Sequence, residues 1–230
     1  MGSWDGGERM EKPGETSAFL LLDLDGTLTT VKSPWRYVYE RLGIWRSVGE
    51  KVLERYLSGE ISYSLFCRLD VEAWEARGAD LHVIESILDE IPIPPQSFRF
   101  LEALSQAGFS TTILSTGLER VALNLSGRFG QPFSRNLRPV INGIRLNGGR
   151  LEPVLRVHEG ETRKGKGAWA RRLVRLSGVP LHRTFAVGDG SSDRLMFPHV
   201  GKGFAVQGPE DLPEVLERVL RGTRAPLRYT

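Results

Sequence analysis

Residues 19–29 of the chain read FLLLDLDGTLT. Four apolar residues run directly into Asp23 and Asp25, and Gly26 follows. A short apolar run that ends at a turn signal is typical of a strand buried on both faces of a parallel sheet. Because residues two apart on a strand point the same way, both carboxylates would face the crevice where open α/β sheets bind ligands. The alternative is a solvated turn that merely follows a core strand.

The two neighbouring carboxylates predict a cation. Two carboxylates side by side repel each other, and burial disfavours the charge on both. Mg²⁺, which prefers oxygen ligands, would relieve that repulsion. The stretch therefore indicates a magnesium site if further polar residues converge on it.

Composition narrows the class of protein. Of 230 residues, 40% are hydrophobic and 26% charged, which is ordinary for a globular protein with a sizeable core. No apolar run approaches the roughly 20 residues that span a membrane, and residues 1–17 lack a secretory signal and read as a disordered tail. The single cysteine, Cys67, excludes an internal disulfide framework and favours the cytoplasm.

The charge of the chain is uninformative about partners. The net charge is +3 and the isoelectric point about 9.2, values that are compatible with nucleic-acid binding but do not argue for it. We expect neither a nucleic-acid nor a membrane partner, and the sequence leaves a homodimer open.

Residues 31–93 predict four consecutive amphipathic helices with no strand between them. Ser33, Ser62 and Asp80 precede three of the apolar repeats and are typical N-cap residues. Helices in series after a first strand indicate an insertion rather than a βαβ repeat. We therefore predict a helical cap at 31–93.

The alternation of strands and helices resumes after the cap. Residues 109–114 and 184–187 are predicted to form buried strands. Residues 139–157 contain Asn-Gly pairs flanked by apolar residues, which are typical of hairpin turns. Strands that alternate with helices predict a Rossmann-like, doubly wound parallel sheet. The predicted divisions of the chain are a disordered tail at 1–17, an α/β core at 18–30 and 94–222, the cap at 31–93, and a tail at 223–230.

The carboxyl ends of three predicted strands carry acids or hydroxyls. Parallel strands end at one edge of a sheet, so these residues should converge, and a lysine at the start of a later helix, Lys164 or Lys166, adds a cation. Carboxylates with Mg²⁺ and a lysine suit phosphoryl transfer, and without a Walker-A pattern an aspartate is the natural nucleophile. The converging pairs are Asp23 with Asp25, Ser115 with Thr116, and Asp189 with Asp193.

These segments match a known family. Residues 23–29, DLDGTLT, resemble motif I of the haloacid-dehalogenase superfamily of phosphatases, and residues 113–117, ILSTG, resemble motif II. Lys166 resembles motif III, and residues 188–193, GDGSSD, resemble motif IV. The helical insertion directly after motif I is similar to the C1 cap of the phosphoserine-phosphatase-like branch.

The resemblance implies a role for each residue. Asp23 would attack phosphorus, and Asp25 would protonate the leaving oxygen and then activate water. Mg²⁺ would be held by the Asp23 side chain, the Asp25 backbone carbonyl and Asp189. Asp193 would not touch the ion but would orient a metal-bound water molecule or Lys166. The groups that would hold phosphate oxygens are Ser115, the Thr116 amide and Lys166.

Substrate choice would lie in the cap. By spacing, Lys32 stands where phosphoserine phosphatases carry an acidic residue that recognises the amino group. Arg68 matches their carboxylate-binding arginine, and Tyr63 a nearby aromatic residue. Lys32 with Arg68 would suit a substrate with extra negative charge, although a solvated helix arginine is the alternative for Arg68.

The sequence therefore predicts a Mg²⁺-dependent phosphatase for a small phosphate ester, phosphoserine-like or another phosphorylated acid. A phosphotransferase with the same aspartyl-phosphate, and a non-catalytic module that binds a phospholigand or RNA, are the alternatives.

Overall fold

The structure, a computed structural model, describes residues 18–129 and 139–223. The tails predicted at 1–17 and 223–230 lie outside these residues, apart from Thr223, which ends the last helix. The described residues form six strands and eight α-helices. In chain order these are β1 (Ala18–Leu22), α1 (Pro34–Arg41), α2 (Glu50–Leu57), α3 (Tyr63–Ala76), α4 (Leu81–Asp89), α5 (Pro95–Gln106), β2 (Phe109–Leu118), α6 (Glu119–Phe129), β3 (Val140–Asn147), β4 (Arg150–Val154), α7 (Lys166–Ser177), β5 (Thr184–Gly188), β6 (Lys202–Ala205) and α8 (Leu212–Thr223).

The six described strands form one sheet in the order β4-β3-β2-β1-β5-β6. Neighbouring strands are parallel except for the β3–β4 hairpin, which is antiparallel. Strand β1 therefore lies in the middle, with β2 on one side and β5 on the other. The predicted α/β class with a doubly wound sheet is confirmed.

Strand β1 is buried on both faces, as its unbroken apolar run predicts. Leu20 and Leu22 pack into an apolar cluster that includes residues of α5 and α8. Phe19 and Leu21, on the opposite face, pack into a second cluster with residues of α7. Helices thus cover both faces of β1, and its carboxyl end lies at the edge of the sheet where α/β proteins bind ligands.

The helices between β1 and α5 begin at the predicted caps. Ser33 Oγ accepts a hydrogen bond from the Arg36 amide, and Ser62 Oγ accepts one from the Leu65 amide. Asp80 does the same for α4. A five-residue π-helix, Trp45–Gly49, precedes α2 and was not predicted.

Apolar side chains of these helices and of β1 belong to one cluster. The boundaries of a separate cap at 31–93 and of a core at 18–30 and 94–222 stay a prediction.

Strand β2 is longer than predicted. It continues past Leu114 to Leu118, with a register shift against β3 between Ser115 and Leu118. Thr116 and Gly117 have no paired residue on β3, as in a β-bulge. Bulges change the direction of nearby side chains and occur often beside functional sites.

Within residues 18–129 and 139–223, no helix combines the length and the apolar character needed to cross a membrane.

Candidate active site

The carboxyl ends of the central strands form the floor of one cavity. Asp23 and Asp25 directly follow β1, Ser115 lies in β2, and the loop after β5 contributes two more aspartates. The cavity has a volume of about 740 Å³. We use "the floor" for six lining residues: Asp23, Asp25, Ser115, Lys166, Asp189 and Asp193.

Lys166 joins two of the floor carboxylates in a buried ion-paired triad. Its Nζ lies 2.6 Å from Asp23 Oδ1 and 2.5 Å from Asp193 Oδ1. The three side chains are between 2% and 4% exposed. Burial alone would lower the pKa of Lys166, but the two carboxylates outweigh it and raise that pKa above its ordinary value. Lys164, the other candidate, is exposed.

Asp25 is held differently from Asp23. Ser115 Oγ donates to Asp25 Oδ2 over 2.9 Å, and the Gly117 amide in turn donates to Ser115 Oγ over 2.9 Å. The buried Asp25 Oδ1 makes no hydrogen bond to any described residue. Burial, reinforced by the charge of Asp23, raises the pKa of Asp25 well above its usual range. The Asp25 carboxyl therefore holds a proton more readily than an exposed aspartate does.

Two glycines of the site lie in close contact with carboxylates of the floor. A Cβ at Gly117 would lie 1.8 Å from Asp25 Oδ2. A Cβ at Gly26, whose φ is +77°, would lie 2.5 Å from Asp189 Oδ2. Glycine at these positions lets the backbone approach the carboxylates directly.

Three floor carboxylates could hold a metal ion. Asp23, Asp189 and Asp193 each offer an oxygen, and these oxygens all lie within 4.8 Å of one another. Burial raises the pKa of Asp23 to about 7, against the opposing charge of Lys166. Burial also raises the pKa of Asp189, against the effect of Lys32. A cation would offset the cost of burying these charges, and an all-oxygen donor set suits Mg²⁺.

A family model described as haloacid dehalogenase-like hydrolase matches residues 20–198. The chain belongs to the haloacid dehalogenase-like hydrolase family. The matched segment contains all four motifs on which the sequence resemblance rests.

Curated relatives in this family are named phosphoserine phosphatase. The chain is 25% identical over 206 residues to that of Archaeoglobus fulgidus, covering 86% of this chain and 55% of the relative. It is 22% identical over 212 residues to that of Methanocaldococcus jannaschii, covering 91% of this chain and 96% of the relative. The chain spans about half the length of several other relatives, such as 48% of the Mycobacterium tuberculosis protein.

Solved structures of the same name share the fold. A substrate-bound phosphoserine phosphatase complex superposes with a TM-score of 0.65 at 19% identity, over 89% of this chain and 97% of that one. A phospho-aspartyl intermediate analogue of phosphoserine phosphatase gives 0.65 at 20% identity, with the same coverage.

Two residues that the sequence did not single out hold the segment after Ser115. The carbonyl of Thr116 accepts hydrogen bonds from Trp35 Nε1 over 3.1 Å and from Asn142 Nδ2 over 3.0 Å. Asn142 is fully buried, and its amide also donates to the Tyr63 hydroxyl over 3.2 Å. Asn142 lies in the segment for which hairpin turns are predicted, and Trp35 lies in the predicted helical cap, so no sequence signal marked either residue as part of the site.

Of the three residues predicted to contact substrate, two line the cavity and one does not. Lys32 and Tyr63 line the cavity, and Lys32 Nζ lies 3.3 Å from Asp189 Oδ2. Arg68 is exposed and is not among the residues that line the cavity, and its contact with substrate stays a prediction. The cause is helical geometry, because five positions after Tyr63 a residue is rotated by about 140° to another face of α3.

The side of the cavity that the helices contribute is aromatic. We use "the aromatic wall" for six lining residues: Trp35, Tyr39, Trp45, Tyr56, Tyr63 and Phe66.

Proposed function

We propose that the chain is a Mg²⁺-dependent phosphomonoester hydrolase that works through an aspartyl-phosphate on a small phosphorylated metabolite. The observation that carries the proposal is the unequal environment of two aspartates at one strand end. Asp23 is ion-paired with Lys166, whereas Asp25 is held by the neutral hydroxyl of Ser115. One aspartate is thus suited to remain a nucleophile and the other to move a proton.

Asp23 performs the first step. One oxygen pairs with Lys166, and the other accepts a hydrogen bond from Thr27 Oγ1 over 3.2 Å. These contacts fix the carboxylate while it attacks phosphorus. A bond forms between Asp23 and phosphorus, the bond to the ester oxygen breaks, and Asp25 gives its proton to the departing alcohol.

Asp25 performs the second step as a base. Now ionised, it takes a proton from a water molecule that attacks the phosphorus of the aspartyl-phosphate. The bond to Asp23 breaks, and inorganic phosphate leaves. Ser115 supports this ionised state, because its hydroxyl donates to the carboxylate of Asp25.

The phosphate and the metal use the remaining floor residues. Ser115, the Thr116 amide and Lys166 would hold phosphoryl oxygens. Mg²⁺ would be held by the Asp23 carboxylate, the Asp25 backbone carbonyl and Asp189, and it supplies positive charge to the phosphoryl group. Asp193 positions Lys166 through their ion pair, and its other oxygen accepts from the Gly190 amide over 2.8 Å.

Phosphate release from a panel of esters tests the proposal. The panel contains O-phosphoserine, the substrate that the relatives' name indicates, with phosphoglycolate, sugar phosphates and nucleotides. We expect release with Mg²⁺ and none with EDTA. Asp23→Asn should lower kcat by at least about 10³-fold, since the nucleophile is lost. Asp89→Asn, an equal change at an exposed helix residue outside the cavity, should keep activity.

The same panel separates the alternatives. Wild-type activity in Asp23→Asn would contradict the nucleophile assignment. A phosphorylated alcohol formed from an added acceptor would identify a phosphotransferase. Salt-dependent RNA retention with no phosphate release would favour a binding module. A homodimer and a cytoplasmic location stay predictions.

A further inference from the structure

Helix α7 lies in a stretch of the chain that has no negative charge. Residues 162–188 contain no aspartate or glutamate, although the whole chain carries 28 acidic residues against 31 lysines and arginines. The same stretch contains seven lysines and arginines. One of them, Lys166, belongs to the floor, and the others lie away from it. A net charge of +3 hides this local excess, because acidic residues elsewhere in the chain offset it.

Three of these cations share one exposed side of α7. Arg171, Arg172 and Arg175 are exposed, and positions one, three and four apart lie on the same side of a helix. The opposite side carries Ala170 and Leu173, which are buried against the sheet. We use "the cationic face" for the three arginines Arg171, Arg172 and Arg175.

Helix α8 shows by contrast that the cationic face lacks partners. Both helices have 12 residues, and they pack into apolar clusters on opposite faces of β1. In α8, Glu214 pairs with Arg218 over 3.6 Å and Glu217 pairs with Arg221 over 2.7 Å. No ion pair among the described residues includes an arginine of the cationic face. Its charge is therefore available to an anionic partner.

Exposed apolar side chains accompany the cationic face. Leu176 directly follows Arg175 and is 57% exposed, and Leu181, shortly after the end of α7, is also 57% exposed. A leucine gains free energy when it leaves water for an apolar layer, but it gains nothing from a purely ionic contact. Arginines with neighbouring leucines on one surface are typical of helices that lie on a membrane.

We propose that the cationic face, with Leu176 and Leu181, binds the surface of a membrane that contains anionic phospholipids. The guanidinium groups pair with lipid phosphate and carboxylate groups, and the two leucines enter the boundary of the acyl chains. The expectation of no membrane partner came from the lack of an apolar run long enough to span a membrane. Contact with the surface needs no such run. The inference goes beyond the proposed function and does not depend on it.

A nucleic acid fits this surface less well. Proteins that bind single strands combine cations with aromatic rings on which the bases stack. The aromatic residue of α7, Trp169, is half-buried, and the Arg172 guanidinium lies 5.1 Å from its ring centre. Its indole nitrogen donates to the Arg156 carbonyl over 2.9 Å. The ring is therefore already in use, and the apolar side chains that remain exposed are leucines.

Co-sedimentation with vesicles tests the proposal. One set of vesicles contains phosphatidylcholine alone, and the other contains phosphatidylcholine and phosphatidylserine in equal amounts. The wild-type protein should bind the anionic vesicles at least about 10-fold more tightly than the neutral ones. Added salt should weaken this binding, because exposed charges are screened.

Two double variants with matched charge and spacing locate the contact. Arg172→Gln with Arg175→Gln should weaken binding to the anionic vesicles at least about 10-fold, since two cations near the lipid surface are lost. Arg218→Gln with Arg221→Gln removes two charges at the same spacing from α8. This control should change binding less than about twofold, because acidic neighbours already compensate those arginines.

A third variant tests the apolar part of the contact. Leu176→Asn with Leu181→Asn keeps the charge of the protein and should weaken binding to the anionic vesicles at least about threefold. All five substituted residues of α7 and α8, and Leu181, are exposed, so the variants should keep their thermal unfolding transitions and their kcat/KM for phosphate release.

Each outcome decides the proposal. Equal binding of the wild-type protein to both kinds of vesicle, or binding to neither, overturns it. Equal losses in the α7 and α8 arginine variants would assign the effect to net charge and also overturn it. Unchanged binding of the leucine variant overturns it as well, and salt-dependent retention of RNA by the same arginines would then identify a nucleic acid as the partner. Phosphate release is measured separately, so the proposed function stands or fails on its own test.

Discussion

The floor and the aromatic wall of the cavity are stabilised in opposite ways. In the floor, an ion-paired triad links the end of β1 with α7 and the loop after β5. In the wall, rings pack on rings. Asp25 in the floor and Asp70 next to the wall each keep one buried carboxylate oxygen without a hydrogen-bond partner among the described residues. The difference teaches that the two regions of the cavity are stabilised by separate interactions. Substitutions in the two regions should therefore have separable effects.

The largest effect is expected in the triad. Lys166→Met leaves Asp23 and Asp193 buried with no cation between them. Breaking a buried pair from one side costs about 3–5 kcal/mol, so the free energy of unfolding should fall by that amount. Urea unfolding without Mg²⁺ measures it.

A double variant sharpens this prediction. Adding Asp193→Asn to Lys166→Met should recover part of the loss, since one unpaired carboxylate becomes neutral. Lys164→Met, at the exposed lysine nearby, should leave stability unchanged. A stable Lys166→Met protein would show that the triad contributes little to folding.

The next effect concerns the packing of the floor. Gly117→Ala would bring a methyl group to 1.8 Å from Asp25 Oδ2, so Asp25 must move. Overpacking of this kind costs about 1–3 kcal/mol, and the displaced acid should lower kcat about 100-fold. Thermal unfolding and phosphate release measure the two losses.

Gly127→Ala is the matched control for this change. A Cβ at Gly127 meets nothing within 4 Å, and the residue lies in α6. Alanine there should be neutral or stabilise the helix by up to about 1 kcal/mol. Full activity in Gly117→Ala would mean that the floor tolerates a shift of Asp25.

The smallest effect belongs to the wall. Burial raises the pKa of Asp70 from 3.8 to about 7, so the folded state holds a proton that the unfolded state releases between these values. Stability then falls as pH rises through this window. Between pH 5.5 and 7, the free energy of unfolding should decline by about 1–2 kcal/mol less in Asp70→Asn than in the wild-type protein.

The wild-type protein is the necessary reference for that measurement. Burial also raises the pKa of Asp23 and Asp25, and both contribute a decline of the same sign. The difference between the two urea-unfolding profiles isolates Asp70. Parallel profiles would mean that Asp70 is ionised in the folded protein throughout this range.

The residues of the floor were predictable because short sequence patterns at the ends of strands mark them. An apolar run followed by aspartates at i and i+2 places two carboxylates at a strand end, and parallel pairing brings other strand ends to them. The chosen lysine, Lys166, reaches Asp23 in the structure. The roles of these residues in catalysis stay predictions.

The arrangement of the wall was not predictable because it depends on contacts between residues of different helices. Apolar side chains such as Leu65 are expected on the inner face of an amphipathic helix, but Leu65 is 37% exposed and Asp70 is buried instead. Asp70 is tolerated there because Tyr39, from another helix, donates to it. The position of Arg68 outside the cavity lining has a related reason, since its assignment rested on spacing and not on the rotation of α3.

The position of β1 in the sheet has a consequence for how the protein is made. Leu20 pairs with Thr111 on one side and with Phe185 on the other, and the Asp23 amide donates to the Val187 carbonyl over 2.9 Å. During translation, β1 emerges before the other described strands, yet its second neighbour, β5, is synthesised much later in the described chain. Such distant parallel pairing closes large loops and is slow. The ribosome therefore delivers Asp23 early, but the residue reaches its final place only after β5 has left the exit tunnel.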